Sequence, residues 1–429
     1  MANSRNFFAQ LDEEIDAVTA FLARYTSSCG YPVYTSMDIR DAGWKVGVVD
    51  VNLFPAGFNR LHPQDLERGA EKLRQFLSAK LLKPSPWKVA LVPEAHTNNK
   101  GYLENLTGII DMLSLANCEV QLAWSGAPIP RPWIVQASNG KHLTYIPMPA
   151  ALENCDAVIL NHDLSGGMIP TLKEFLDRTK TPCFPSPSLG WYRRRKSQHF
   201  EIVDGLLNKI AKEFSFFDPF YFMPKSAHIT GIDFSKAEDR ERLAKNAEEF
   251  LAELRRDYEK REIKTPPRLI VKNNAGTYGI GVLSISSPQE LIELTRSDLN
   301  KMKTGKESVS ISDILLQETV PTSFVFEKIA GDATTKVAAE PTIYLVNGLP
   351  IGGFLRIHEK LGAEAEYQNL NQPGSILETI SDVIGPLCSQ FPFPKPRNRC
   401  PKDEITTKSV YYFLCKLHAT AAGLEECPK

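Results

Sequence analysis

The segment from Leu269 to Val282 reads as an apolar strand ending in Lys272, a turn carrying Gly276, Gly279 and Gly281, and a second apolar strand. Glycines in such a turn let backbone N–H groups approach an anion closely, and a lysine at the strand end adds a point positive charge. That is equipment for a polyphosphate. The spacing is neither a G-x-G-x-x-G that opens a helix nor a loop ending in Gly-Lys-Ser or Gly-Lys-Thr, so a plain glycine hairpin is the competing reading. A second chemical group is the run Arg193, Arg194, Arg195 and Lys196, flanked by Trp191, His199 and Phe200. Guanidinium forks match carboxylate or phosphate oxygens two at a time, whereas a run of charge is otherwise a solvated patch. Four acids, Asp50, Glu94, Glu104 and Asp163, stand in or beside polar loops where they suit ammonium groups. His96 fits either a site or a buried, hydrogen-bonded loop.

Those loops follow strands. Trp44 to Val51 is an apolar run leading into Asn52 to Leu61, where Pro55 and Gly57 exclude a helix interior. Trp87 to Val92 leads into Pro93 to Asn99 before helical spacing resumes at Tyr102, Leu106, Ile109 and Leu113. Ala157 to Leu160 leads into Asn161 to Gly167 and a helix near Ile169 to Leu176. Strand, polar loop, helix is the grammar of an α/β domain, and ligands of open α/β sheets bind outside the carboxyl ends of strands. Lys236 to Glu262 predicts one long amphipathic helix on Leu243, Ala247, Phe250, Leu254 and Tyr258. After Pro266 and Pro267 the pattern turns to strands, with a hairpin at Asn347-Gly348. A two-residue turn there pairs Glu340 with Leu355, which puts Glu340 and Arg356 on opposite faces.

The chain has 429 residues, 42% of them hydrophobic and 24% charged, which is ordinary for a folded protein of two or three packed lobes. Lys and Arg total 50 against 51 acids, so no global field exists to hold nucleic acid or a membrane. Met1 to Thr26 mixes acids with apolar residues at helical spacing and lacks the basic-then-apolar order of a signal peptide. No apolar run approaches the roughly 20 residues that span a bilayer. The expectation is a cytoplasmic protein. Its eight cysteines are scattered with no C-x-x-C pair, so free thiols are expected.

Taken in order, Asp50 to Asn59, Val92 to Asn98 with Tyr102 to Asn105, Asn161 to Ser165, Gly190 to Phe200 and Lys272 to Val282 resemble the proteobacterial ATP-grasp family of glutamate-cysteine ligases. The resemblance covers roughly Asp38 to Gly374. It implies an α/β fold with an α+β ATP-grasp lobe, and ATP- and Mg²⁺-dependent synthesis of γ-glutamylcysteine from L-glutamate and L-cysteine, the first step of glutathione production. On this reading residues 1–200 form the substrate lobe, 201–267 a central helical segment and 268–429 the nucleotide lobe with a C-terminal helix. ATP would meet Lys272, Gly276, Thr277, Tyr278, Gly279 and Gly281, with its base at the strand carrying Gln317 and Glu318. Arg356, Arg194 and Lys196 would serve the transferring phosphoryl group. The amino acids would meet Asp50, Asn52, Asn59, Glu94, His96, Asn98, Glu104, Asn161, Asp163, Arg193 and His199. Mg²⁺ would take oxygens from Glu340, Glu366, Asn369 and Asn371; the family's Glu-x-Asn motif is replaced by Asn369-x-Asn371, with neutral Gln368 before it.

A ligase of the same fold with another amine acceptor, or a catalytically silent binding protein, remains open at this stage. A sugar or inositol phosphate kinase of that fold is disfavoured by the acids in the loops. No nucleic-acid or membrane partner is expected, and homo-oligomerisation is left open.

Overall fold

Three sheets divide the chain. The computed structural model describes residues 2–26, 29–96, 98–276, 279, 281–303, 311–323, 325–330, 333–358, 367, 369–371, 375–379 and 401–427, the side chains of 2–5, 325–330, 333–336 and 401–408 aside. Strands β1 (Tyr34–Asp41) and β2 (Val46–Asn52) begin an antiparallel sheet that is completed much later in the sequence. A second sheet takes β3 (Trp87–Pro93), β4 (Cys118–Trp124), β5 (Trp133–Gln136), β6 (His142–Pro147), β7 (Ala157–Asn161) and β8 (Cys183–Phe184) in the order β5-β6-β4-β3-β7-β8, parallel except for the edge pair β5–β6. A third is antiparallel in the order β11-β10-β12-β9, from β9 (Ser226–Ile229), β10 (Leu269–Asn273), β11 (Val282–Ile285) and β12 (Ile314–Glu318). The first sheet then gains β13 (Val325–Ala330), β14 (Ala333–Val346), β15 (Leu349–Ile357) and β16 (Ile376–Thr379), giving the order β16-β15-β14-β1-β2 with β13 on β14.

The first sheet is two-faced because its strands alternate polar and apolar residues. Met37, Ile39, Ala339, Ile343, Leu345, Leu355 and Ile357 enter a core with the helices Ala2–Thr26, Lys196–Glu213 and Pro401–Glu426. The pairs Ser36–Tyr344, Asp38–Thr342 and Glu340–Arg356 lie on the other face, with Asp50 opposite Asp38 and Asn52 opposite Ser36.

The pairing of Glu340 with Arg356 corrects the register expected from the hairpin. β14 and β15 leave the turn as expected, Val346 opposite Leu349, but the register shifts between Tyr344 and Leu345, so Glu340 meets Arg356 instead of Leu355. A one-residue irregularity moves every later side chain to the other face. Arg356 therefore bonds Glu340, which also bonds Arg40, while Asp38 holds Arg356 at 3.1 Å and accepts from Thr342 Oγ1 at 2.9 Å. All four charged groups are buried.

In the parallel sheet, β3 and β7 are neighbours with Pro93 opposite Asn161, so the loops after them lie side by side at a point where the chain reverses its winding. The expected strand near Trp44 to Val51 exists, but β2 belongs to the antiparallel sheet. Its following loop still reaches this place, because Asn161 Nδ2 donates to the Pro55 carbonyl at 2.9 Å. The long helix is Ala237–Glu259, and its Leu243, Ala247, Phe250 and Leu254 pack under the third sheet. Its Tyr258 donates to Glu318 Oε1 at 2.8 Å.

The two chain ends meet. The first helix is amphipathic as expected and packs along the last, whose residues from Val410 to Ala422 are buried nearly all round. The expected C-terminal helix is thus a core element. Cys29 and Cys427, 398 positions apart in sequence, come to 5.3 Å between Cα atoms and form a disulfide. This corrects the expectation of free thiols, which no local spacing could have overturned. Cys118, Cys155, Cys183 and Cys415 are free, and Cys388 and Cys400 lie outside the described residues. No helix among the described residues is long and apolar enough to cross a membrane.

Glu340→Ala should cost about 3–5 kcal/mol, the penalty for stranding buried charges, since Arg40 and Arg356 lose a shared partner. Denaturant unfolding would read this, and an unchanged midpoint would contradict the buried network. Replacing Cys29 and Cys427 by serine together should lower stability by about 2–4 kcal/mol; a thermal melt indistinguishable from the parent's would deny the bridge a role.

Candidate active site

Two cavities share the polar face of the first sheet as their floor. One has about 720 Å³ of empty space, including its mouth. Its floor is Asp38, Arg40, Asp50 and Glu340, and its other walls come from the third sheet: Ile270, Lys272 and Asn273 of β10, Gly276 and Gly279 of the glycine turn, and Gln317 to Val320 at the end of β12. Lys196, Tyr367, Asn369 and Asn371 complete it. Gly276 and Gly279 have φ of 123° and 67°, and a Cβ on Gly279 would collide with the Asn371 carbonyl, so only glycine lets the turn approach the opposite wall. Thr277, Tyr278, Glu366 and Gln368 lie outside the described residues. Gly281, at φ 69°, closes the turn through its carbonyl, which accepts from Asn273 N at 2.9 Å, and does not line the cavity.

Lys272 is buried and donates to the Val49 carbonyl at 2.7 Å and to Gln317 Oε1 at 2.8 Å. Burial pushes its pKa down to about 7, with Asp50 pulling upward and Lys196 adding to the fall. Asp50 is ion-paired with Lys196; burial works against its charge, but Lys196 and Lys272 hold its pKa below the ordinary value. Burial also opposes the Arg356 charge, and Asp38 and Glu340 more than offset it, so the guanidinium is held charged. The Glu318 carboxylate is taken by Lys45 at 2.6 Å, by Tyr258, and by Lys225 N at 2.9 Å, so it anchors the strand end. Gln317 Nε2 and Thr319 Oγ1 are buried without a hydrogen-bond partner among the described residues, which marks them as groups a ligand can satisfy.

The second cavity, with about 1030 Å³ of empty space including its mouth, lies along the same floor. Ser36, Asn52, Thr342, Tyr344, Phe354 and Arg356 come from the first sheet, Phe54 to Gly57 with Asn59 and Arg60 from the loop after β2, Asn99 and Asp163 from the loops after β3 and β7, and Tyr102 from the helix Lys100–Leu115. Asn371 lines both cavities. Arg356 faces this cavity while bonding Asp38 and Glu340 of the other, and its Nε is buried without a partner among the described residues. Asn52 Oδ1 is likewise unpartnered.

Several expected site residues stand elsewhere. Arg194 donates to the Val51 carbonyl at 2.8 Å and pairs with Glu425 at 2.7 Å, so it ties the last helix to β2 and lines neither cavity. His199 bonds the same carboxylate and, through Nε2, His418 Nδ1 at 2.9 Å. Glu425 is held at a pKa of about 2; burial opposes this, and Arg194 and then His199 bring it about. Arg193 and Asn98 are exposed and line neither cavity. Glu94 pairs with His96 at 2.7 Å, Asn161 is spent on Pro55 and Tyr102, and Glu104 holds Asn59 at 3.0 Å; of the expected residues Glu94, His96, Asn161, Glu104 and Asn59, only Asn59 lines either cavity. The residues that sequence reasoning missed include Ser36, Asp38 and Arg40 of β1. Its alternation Ser36, Met37, Asp38, Ile39, Arg40 is a polar stripe on a buried strand, and that signal was available.

Oxygen donors lining the first cavity include Asp38, Glu340, Asn369 and Asn371, beside the Asp50 and Glu318 carboxylates that Lys196 and Lys45 hold. Among the described residues no group of three or more His, Cys, Asp or Glu forms a self-sufficient metal site. An oxygen-only set with one or two carboxylates fits Mg²⁺, which keeps waters and takes the rest of its shell from substrate phosphates.

A model of the glutamate-cysteine ligase family, GshA, matches residues 9–426. The crystal structure of a candidate gamma-glutamylcysteine synthetase from Methylobacillus flagellatus KT, at 1.90 Å resolution, aligns with a TM-score of 0.81 and 27% identity over 99% of this chain and 97% of that one. No curated protein matches. The family match takes in β1, the glycine turn, β14, β15 and the last helix, and so every element that builds the two cavities. The resemblance read from the ordered motifs is borne out, and the chain belongs to the glutamate-cysteine ligase family.

Proposed function

We propose that this chain joins the γ-carboxyl of L-glutamate to the amine of L-cysteine with ATP, in the cytoplasm, on an ATP-grasp scaffold formed by the first and third sheets. The observation that carries the reading is the position of Arg356, which bonds Asp38 and Glu340 of one cavity and lines the other. A phosphoryl donor in the first cavity and an acceptor in the second meet at this arginine.

The glycine turn and Lys272 hold the polyphosphate, while Gln317 Nε2 and Thr319 Oγ1, at the strand end, face the base. Oxygens of Asp38, Glu340, Asn369 and Asn371 would hold Mg²⁺, which when bound would neutralise charge on the phosphates. The γ-carboxylate of glutamate, oriented by the unpartnered Nε–H of Arg356, attacks the terminal phosphorus. ADP leaves, and an acyl phosphate stands in its place. The cysteine amine then adds to the acyl carbon, phosphate departs, and the amine proton is released. Arg356 stabilises the equatorial charge in transfer because it is fixed and desolvated before the reaction begins.

Purified protein given ATP, Mg²⁺ and both amino acids should release phosphate, and omission of either amino acid should stop it; steady release with neither present would contradict the ligase reading. Nucleotide affinity should fall as pH rises through about 7, because Lys272 binds the polyanion in its protonated form and is pushed down to about 7 without it. At pH 8 ATP binding should therefore take up close to one proton, seen by calorimetry as a heat that depends on the buffer, and Lys272→Arg should abolish the dependence. A buffer-independent heat for the parent protein would contradict this role for Lys272.

A further inference from the structure

The second cavity contains a cation whose charge the protein does not use. Arg60 ends the short 3-10 turn Phe58–Arg60, is exposed, and lines the cavity. Among the described residues its guanidinium has no hydrogen bond and no ion pair. The other arginine lining the cavity, Arg356, is committed to Asp38 and Glu340.

The backbone that carries Arg60 is fixed while its side chain is free. Gly57 N and Phe58 N both donate to Asn105 Oδ1, at 2.8 and 3.0 Å, and Arg60 N donates to the Gly57 carbonyl at 2.9 Å. Phe58 is buried between Tyr34 and Tyr344. Gly57 has φ 105°, and a Cβ there would lie 2.7 Å from Tyr344 Oη, so the turn is pressed onto the Tyr344 end of the floor. Tyr344 is four positions along β14 from Glu340, the partner of Arg356, which separates the two ends by about 13 Å at the usual rise of a strand. The cavity is thus polarised, with Arg356 beside the nucleotide and Arg60 at the far end. Two acceptors line the same cavity: Asn52 Oδ1, buried without a partner among the described residues, and the buried carboxylate of Asp163.

A free guanidinium that shares a cavity with an unpartnered carbonyl oxygen and a carboxylate is complementary to the head of an α-amino acid, carboxylate to the first and ammonium to the others. We infer that Arg60 binds the α-carboxylate of glutamate and so decides which end of this two-carboxylate substrate faces the nucleotide. The inference rests on the ligase reading of the same cavity and deepens it. Only the γ-carboxylate then reaches Arg356, and the amide forms at the side chain.

Glutamate and its α-carboxamide analogue, each with cysteine, ATP and Mg²⁺, separate these roles in a phosphate-release assay on the full-length protein. The parent should prefer glutamate by about 100-fold or more in kcat/KM, since a site built for a charged partner rejects the analogue that lacks it. Arg60→Gln should raise the KM for glutamate by about 100-fold, with the KM for ATP and the melting temperature unchanged, and should lower the preference for glutamate at least tenfold. Arg60→Lys should recover part of both. A preference that stays intact in Arg60→Gln overturns the inference. Absence of any turnover by the parent with glutamate and cysteine is a different result, which strikes the ligase reading itself.

Discussion

Four buried charges, Arg40, Glu340, Arg356 and Asp38, set the terms for the rest of this molecule. They stand on three adjacent strands of a sheet whose other face is largely apolar, so the sheet cannot slide by one residue without driving charge into the core and methyl groups into the cavities. Such a network is weak support for stability, since desolvation cancels most of the Coulomb gain. Its value lies in order. Arg356 is held charged and aimed before any substrate arrives, lining one cavity while it bonds Asp38 and Glu340 of the other.

The scaffold around this floor assigns a different kind of freedom to each wall. β10 and β12 are paired and packed on the long helix, so the Lys272 position and the strand end at Glu318 are rigid. The glycine turn between β10 and β11 lets backbone come close to an anion that side chains would keep away. Across the floor, the second cavity is closed by loops from strand ends of the parallel sheet, tied to each other by Asn161 and Tyr102. The disulfide fastens the last helix to the segment before β1, and the Arg194–Glu425–His199 cluster fastens it to β2, whose Asp50 and Asn52 belong to the floor.

Much of this was legible in the sequence where the signal is local. The glycine turn, Lys272, the strand end at Gln317, the loop acid Asp163 and the long helix each announce themselves within a short window. What escaped depends on contacts distant in sequence. No pattern near Arg194 says that Glu425 will claim it, and nothing near Cys29 points to Cys427. The register of β14 against β15 turned on one irregular residue, which hides from any rule based on the Asn347-Gly348 turn. β1 was legible in principle, for a strand reading Ser-Met-Asp-Ile-Arg is too polar on one face for a core strand without a site. Arg60 was overlooked because an exposed arginine in a loop looks ordinary until its neighbours are known.

The claim that a glutamate γ-carboxylate meets a terminal phosphoryl group at Arg356 is open to one direct measurement. Glutamate labelled with ¹⁸O in its γ-carboxyl oxygens, turned over with cysteine and ATP, should yield inorganic phosphate in which each molecule carries one labelled oxygen, read by mass spectrometry. Unlabelled phosphate, with γ-glutamylcysteine still formed, would mean that no acyl phosphate bridges the two cavities.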